Sequence, residues 1–145
     1  MDNIIIRHAV AADGTSVYRL LSQLTERVNN AVLFDELFES AVDFPNTIYL
    51  VAEDNGNIVG FISCHGQILL HHMGWAYEIQ EMFVEEAYRS KGVGKRLLKH
   101  LESILEHIDY DVIEVTSSHK REGAHAFYQA HGYEHTHRKF TKKKI

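Results

Sequence analysis

The residues best placed to do chemistry form a short turn, Arg89-Ser90-Lys91-Gly92-Val93-Gly94-Lys95, between a strand-like segment and the longest helical pattern of the chain. A helix start leaves backbone N–H groups unpaired and carries a partial positive charge, so it is a natural anion site. Glycines let the backbone approach a phosphate with no Cβ in the way, and the surrounding cations add attraction. Two better-known phosphate loops do not fit. A Walker loop needs a glycine five residues before Gly94 and a hydroxyl residue after Lys95, where Arg89 and Arg96 stand. A dinucleotide fingerprint needs a third glycine at Leu97 and a place on the first strand.

Other reactive side chains lie upstream. Glu78 and Glu81 sit in the strand-like segment, and His71 and His72 in the loop before it. Adjacent histidines project in different directions, and no Glu-x-x-His or cysteine pattern accompanies them, so no metal site is expected. A loop opening onto a substrate pocket is the expected role, because imidazole can hydrogen-bond a ligand or become cationic near neutral pH. Cys64 lies inside an apolar run, where the expectation is a small buried hydrophobe. As the single cysteine it has no disulfide partner within the chain, which fits a reducing, cytoplasmic home.

The elements that must hold these residues can be read from periodicity. Asn3 to His8 reads as a strand, and a helix follows Asp13 with apolar positions at Val17, Leu20, Leu21, Leu24 and Val28. A second helix from about Leu33 to Val42 ends before Pro45. Thr47 to Glu53 and Ile58 to Ser63 read as a hairpin turning at Asn55-Gly56-Asn57. Trp75 to Val84 is a strand, Val93 to Ile108 a helix, Asp111 to Thr116 a strand, and Arg121 to His131 a helix stopped by Gly132. From Tyr133 onward the pattern predicts a final strand or two. This order predicts a mixed α/β (α+β) fold, a mixed sheet covered by helices on both faces.

Composition sets outer limits. The 145 residues, 45% hydrophobic and 24% charged with one proline, suit a single domain over 1–145 that needs no disulfide or metal to fold. No apolar stretch approaches the ~20 residues of a membrane helix, and no secretory signal is visible, so a protein without membrane partners is expected. A net charge of -5 argues against general nucleic-acid binding. Ten of the fifteen Lys and Arg residues nonetheless fall in two clusters, one around the glycine turn and one from Arg138 to Lys144 that reads as a solvated tail.

With the strand Glu78 to Val84 before it, the Arg-x-x-Gly-x-Gly turn resembles the coenzyme A signature of the GNAT acetyltransferase superfamily. The resemblance extends to Ile6-Arg7-His8-Ala9 with Asp13, and to Ala124-His125-Ala126-Phe127-Tyr128 followed by Gly132-Tyr133. It implies a largely antiparallel central sheet, acetyl-CoA as cosubstrate, and acetyl transfer to the amine of a small molecule. It also implies that the glycine turn holds the pyrophosphate and that the backbone of Met82, Phe83 and Val84 binds pantetheine and the acetyl carbonyl. The strand ending near Ser117 would splay away to admit the cofactor. Ser117 and Ser118 stand where many members carry an asparagine.

Transfer to an amine needs a base for the ammonium proton, and the departing thiolate benefits from an acid. Glu78 and Glu81 are the candidates for the base, and the resemblance makes Tyr128 the acid. Cys64 pairs with no particular histidine, which favours direct transfer. Within the superfamily, Leu70-His71-His72 with Trp75 and Glu78-Ile79-Gln80-Glu81 is similar to the aminoalkylphosphonate N-acetyltransferases, as are Lys120-Arg121 and Phe140-Thr141-Lys142. A phosphonate acceptor would want cations beside it, for which His71, His72 and Arg121 are candidates. Other acceptors stay open: a polyamine, an aminoglycoside or a protein N-terminus, or no acceptor at all in an acyl-CoA-binding sensor. A homodimer is compatible with any of them.

Overall fold

The computed structural model describes residues 2–116 and 122–144. Five strands form one sheet in chain order: β1 (Ile4–His8), β2 (Thr47–Asp54), β3 (Asn57–Leu69), β4 (Gly74–Val84) and β5 (Val112–Val115). Neighbours from β1 to β4 run antiparallel, and β5 runs parallel to β4. The β2–β3 hairpin turns where Asn55 and Gly56 both take positive φ, 49° and 87°. Two such residues make the type of tight turn whose twist matches the flanking strands.

Strand alternation sends Ile48, Leu50 and Ala52 to one face of the sheet and Tyr49 and Val51 to the other. Helices α1 (Gly14–Leu24) and α2 (Ala31–Val42) cover what we call the first face, placing Val17, Leu20, Leu21 and Phe38 against Val51, Ile58, Phe61 and Phe83. Asn30 caps α2, its side chain accepting the Leu33 N–H at 3.1 Å. Helices α3 (Val93–Leu105) and α4 (Glu122–Ala130) cover the second face. There α3 buries Val93, Leu97, Leu98, Leu101 and Leu105 against Leu50, Val59 and Ile62. It sits close because position 60 is glycine: a Cβ there would lie 3.0 Å from Leu97 and 3.1 Å from Val93. The mixed, largely antiparallel sheet with helices on both faces is the architecture the sequence predicts.

Three expectations need correction. The first helix stops at Leu24, and Val28 joins the same apolar cluster from beyond its end. Strand β3 runs on to Leu69, so the β3–β4 hairpin is longer than its sequence pattern suggests. No strand forms from Tyr133 onward. Tyr133 packs on the core, but residues 134–144 are exposed and irregular. That stretch holds one apolar residue, Phe140, and its five Lys and Arg residues repel one another, so it has little apolar surface to bury. Among the described residues no helix is long and apolar enough to cross a membrane.

Candidate active site

Two features of β4 shape the site. First, β4 has 11 residues and β5 only 4, and their pairing ends at Ile79 opposite Val115. Glu81 to Val84 therefore pair with β3 on one side and, among the described residues, with no strand on the other. A strand edge left open this way presents unpaired N–H and C=O groups. Second, the β3–β4 register shifts: Ser63 faces Glu81 and Cys64 faces Ile79, leaving Gln80 as the extra residue of a bulge. In a regular strand, residues three apart point to opposite faces. The bulge removes that offset and brings Glu78 and Glu81 onto the first face together.

Both carboxylates are held by neighbours. Glu81 accepts a short hydrogen bond from the Ser63 hydroxyl, and that same oxygen accepts the Glu81 N–H at 3.1 Å. Ser63 is fully buried, so this anchor is rigid. Glu78 accepts from Gln80 Nε2 at 2.9 Å and from Thr116 Oγ1 at 3.0 Å. Glu81 adjoins the unpaired stretch of β4, whereas Glu78 lies where β5 still pairs.

Tyr128 lies on the second face, buried in the core formed with α3. Its ring meets Phe127 edge-on at 5.3 Å and Tyr133 at 5.8 Å. Burial pushes its phenol up to about 12, so it keeps its proton at any working pH and can act as a donor but not as a base. Cys64, on the same face, is fully buried and its thiol is pushed up to about 12 by burial and then by Glu78. A thiol in that state is no nucleophile.

The glycine turn closes the β4 end of the site. Gly92 has φ 74°, a left-handed conformation that glycine takes without strain, and it precedes α3 directly. The first helical bond is Arg96 N–H to the Gly92 carbonyl, so the N–H groups of Val93, Gly94 and Lys95 have no acceptor within the helix. No acidic residue occupies that first turn. Gly94 faces Phe127 and Val84, and a Cβ there would sit 3.7–3.8 Å from them, at ordinary contact distance. Arg89 turns back, donating from Nε to the Val84 carbonyl at 3.0 Å with its guanidinium 5.2 Å over the Phe83 ring. Lys91 lies 4.8 Å over Tyr88, while Ser90 and Lys95 are exposed. Arg96 belongs elsewhere, bonding Asp2 at 2.8 Å and the Ile4 carbonyl at 2.7 Å. Free N–H groups at the start of α3 and a strand edge unpaired among the described residues fit a phosphorylated, amide-bearing cofactor.

The histidines sit apart. His71 and His72 lie in a single helical turn at the tip of the β3–β4 hairpin, where His72 Nδ1 is 2.7 Å from Asp111 Oδ2. At about 3.3 Å per residue along β4, that tip is ~13 Å from Glu78 and ~20 Å from Glu81. Ser117 and Arg121, like Lys120, fall outside the described residues. Four neighbours of the glutamates were not singled out from the sequence: Tyr49, Ser63, His65 and Thr116. The signal for Ser63 and His65 was present, as polar residues two apart inside the apolar run Val59 to Cys64 and just beyond it.

Comparison with known proteins agrees with this geometry. Residues 15–133 match the family model for the acetyltransferase (GNAT) family. The chain is 36% identical over 137 residues to an aminoalkylphosphonate N-acetyltransferase of Salmonella typhimurium, covering 94% of this chain and 89% of that one. Among solved structures, a transcriptional regulator from Bacillus halodurans superposes with a TM-score of 0.90 at 20% identity, covering 97% and 99% of the two chains. An aminoglycoside N-acetyltransferase solved with CoA gives 0.85 at 17% identity, with 99% and 96% covered. The chain belongs to the GNAT acetyltransferase family and is an acetyl-CoA-dependent N-acetyltransferase.

Proposed function

We propose that the protein transfers an acetyl group from acetyl-CoA directly to the primary amine of an aminoalkylphosphonate. One observation carries the mechanism: two carboxylates share the first face beside the open edge of β4, and a phenol that keeps its proton stands on the second. The N–H groups of Val93 to Lys95 would hold the pyrophosphate, with Arg89, Ser90, Lys91 and Gly92 around it, and the edge from Met82 to Val84 the pantetheine. Bound acetyl-CoA supplies the acetyl group as a thioester. Glu81, fixed by Ser63, accepts the ammonium proton at its carboxylate and frees the amine lone pair, with Glu78 as the second carboxylate beside it. The amine enters from the first face. As the C–N bond forms and the C–S bond breaks, Tyr128 would donate its phenolic proton to sulfur on the second, the second proton shed by nitrogen would return to the phenolate through solvent, and N–H groups of Met82 to Val84 would polarise the carbonyl between them.

The acceptor class rests on the Salmonella relative, whose name gives an aminoalkylphosphonate as its substrate. The buried thiol of Cys64 supports a reducing, cytoplasmic setting. A homodimer stays part of the proposal, and light scattering reads it directly. The test of the acceptor is an acetyl-CoA consumption screen with aminomethyl- and aminoethylphosphonate, spermidine and an aminoglycoside. The phosphonates should lead in kcat/KM by at least ~10-fold, about 1.4 kcal/mol in transition-state free energy. A screen led by spermidine or the aminoglycoside sinks the phosphonate assignment and leaves acetyl transfer standing.

A further inference from the structure

The first face of the sheet is apolar under α1, but two cross-strand rows beside it are polar. Tyr49 pairs with Ser63 and Ser63 with Glu81; Thr47 pairs with His65 and His65 with Glu78. Over the β2 end of these rows, α2 and the chain after it leave a cavity of about 230 Å³. Leu37, Ser40, Ala41 and Phe44 line it on one side, Tyr49 and His65 on the other. The volume suits a small polyatomic group and falls below that of a pocket for a whole drug-sized ligand.

The floor of this cavity is built to donate. Tyr49 Oη and His65 Nε2 are 2.8 Å apart and the two rings are stacked, 14° from parallel. If Nε2 accepts the phenolic proton, Nδ1–H is left to donate; if Nε2 carries the proton, it donates to Oη and the phenolic O–H is free. A second proton on the imidazole adds another donor. In every protonation state the pair, which lines the cavity, therefore keeps one N–H or O–H free of the other. Thr47 does not compete for a ligand, because its hydroxyl is spent on the carbonyls of Phe44 at 2.7 Å and Ala41 at 3.3 Å. No carboxylate lines the cavity; the glutamates lie on β4, across β3.

We propose that this cavity receives the anionic head of the acceptor, bound by the Tyr49–His65 pair, while the amine faces Glu81. The proposal rests on the reading of the chain as an amine acetyltransferase whose base is on β4. Tyr49 and Glu81 stand two strand spacings apart, ~9.6 Å at about 4.8 Å each. Both ends lie on one cross-strand row of the first face, so the site favours an amine joined by a short link to a phosphonate, sulfonate or carboxylate. It disfavours long polyamines, whose second cation would find no carboxylate among the residues lining the cavity.

The test uses two readouts. In the full-length protein with CoA, the His65 imidazole resonances should shift on titration with 2-aminoethylphosphonate and stay in place with n-propylamine. In steady-state assays, His65→Phe keeps a stacked ring and loses the donor, so the ratio of kcat/KM for 2-aminoethylphosphonate over n-propylamine should fall at least tenfold, through KM. Tyr49→Phe should lower the same ratio and serves if His65→Phe does not fold. Taurine and β-alanine in place of the phosphonate show which anion the site prefers. An unshifted His65 signal, or variants that slow both amines equally, overturns the assignment. A wild-type protein that acetylates no amine overturns the proposed function, and the resonance shift still decides whether the anion subsite exists.

Discussion

Replacing Tyr128 with phenylalanine removes one hydroxyl and keeps the ring that packing uses. The edge-on contacts with Phe127 at 5.3 Å and Tyr133 at 5.8 Å survive, and no protein group among the described residues loses a hydrogen bond to the phenol. Stability should stay within about 0.5 kcal/mol of wild type. Turnover should fall ~100-fold, the lower end for loss of a general acid and about 2.7 kcal/mol of activation free energy. Because burial holds the phenol up to about 12, the loss should be uniform from pH 6 to pH 9 with no new limb in the profile. The contrasting variant, Tyr128→Leu, gives up both ring contacts and opens space in the core, and should lose roughly 2–4 kcal/mol of stability as well. Thiol release at saturating acetyl-CoA, with urea unfolding alongside, separates the two roles. If Tyr128→Phe turns over like wild type while Tyr128→Leu unfolds early, Tyr128 is a packing residue and sulfur is protonated by something else.

Three further outcomes are expected. Glu81→Gln should lower kcat/KM about 100-fold and flatten its acidic limb while Glu78→Gln does less; the reverse order moves the base to Glu78, and two wild-type profiles remove a carboxylate base altogether. Gly94→Val should raise the Kd for acetyl-CoA at least ~10-fold by calorimetry in a folded protein, whereas Gly92→Ala, forced to φ near 74°, should cost about 1 kcal/mol and roughly 2–4 °C in Tm; wild-type affinity in Gly94→Val removes the turn from cofactor binding. The Asp13 carboxylate, bonded twice to Arg7 at 2.9 Å, is held below the usual range by that guanidinium and, less strongly, by the Val10 N–H, while burial opposes them. A depressed pKa stabilises the fold above the unfolded value and is lost as pH falls through the folded one. Asp13→Asn should therefore cost about 2 kcal/mol at pH 7, and the gap to wild type should narrow below pH 3.8; a gap unchanged at pH 2 contradicts the ion-pair account.

How far the sequence could be read differs from one part of the site to the next. The glycine turn was legible because its chemistry is local: a helix start, two glycines and neighbouring cations need no tertiary context. The common face of Glu78 and Glu81 was not legible, since it depends on Gln80 being the extra residue of a bulge, and strand alternation alone sends them apart. His71 and His72 drew attention by residue type, yet chain adjacency to β4 places them at its far end. The polar spacing of Ser63 and His65 marks them as unusual, but that His65 stands opposite Glu78 is not legible, because pairing across strands is invisible in one dimension. The expected last strand failed for a related reason. Chain order leaves room for a strand after Gly132, but the charge of Arg138 to Lys144 outweighs what one aromatic, Phe140, could bury.

The proposed acid, Tyr128, and the proposed base, Glu81, stand on opposite faces, which gives the short β5 a meaning. A proton taken at Glu81 and a proton given by Tyr128 can serve one reaction only if the reacting atoms lie in the plane of the sheet, and a paired sheet has no space there. Space appears where β5 stops at Val115 and β4 continues through Gln80 to Val84. Carrying the ladder further would add two or three hydrogen bonds, on the order of 2–3 kcal/mol, so an edge that no strand of the described residues pairs costs stability that the fold recovers elsewhere. The bulge at Gln80 acts at the same point. It bends β4 where pairing to β5 ends and sets Glu81 on the face from which the amine arrives. On this reading the opening, the direction of attack and the position of the base all follow from one inserted residue and one strand that ends early.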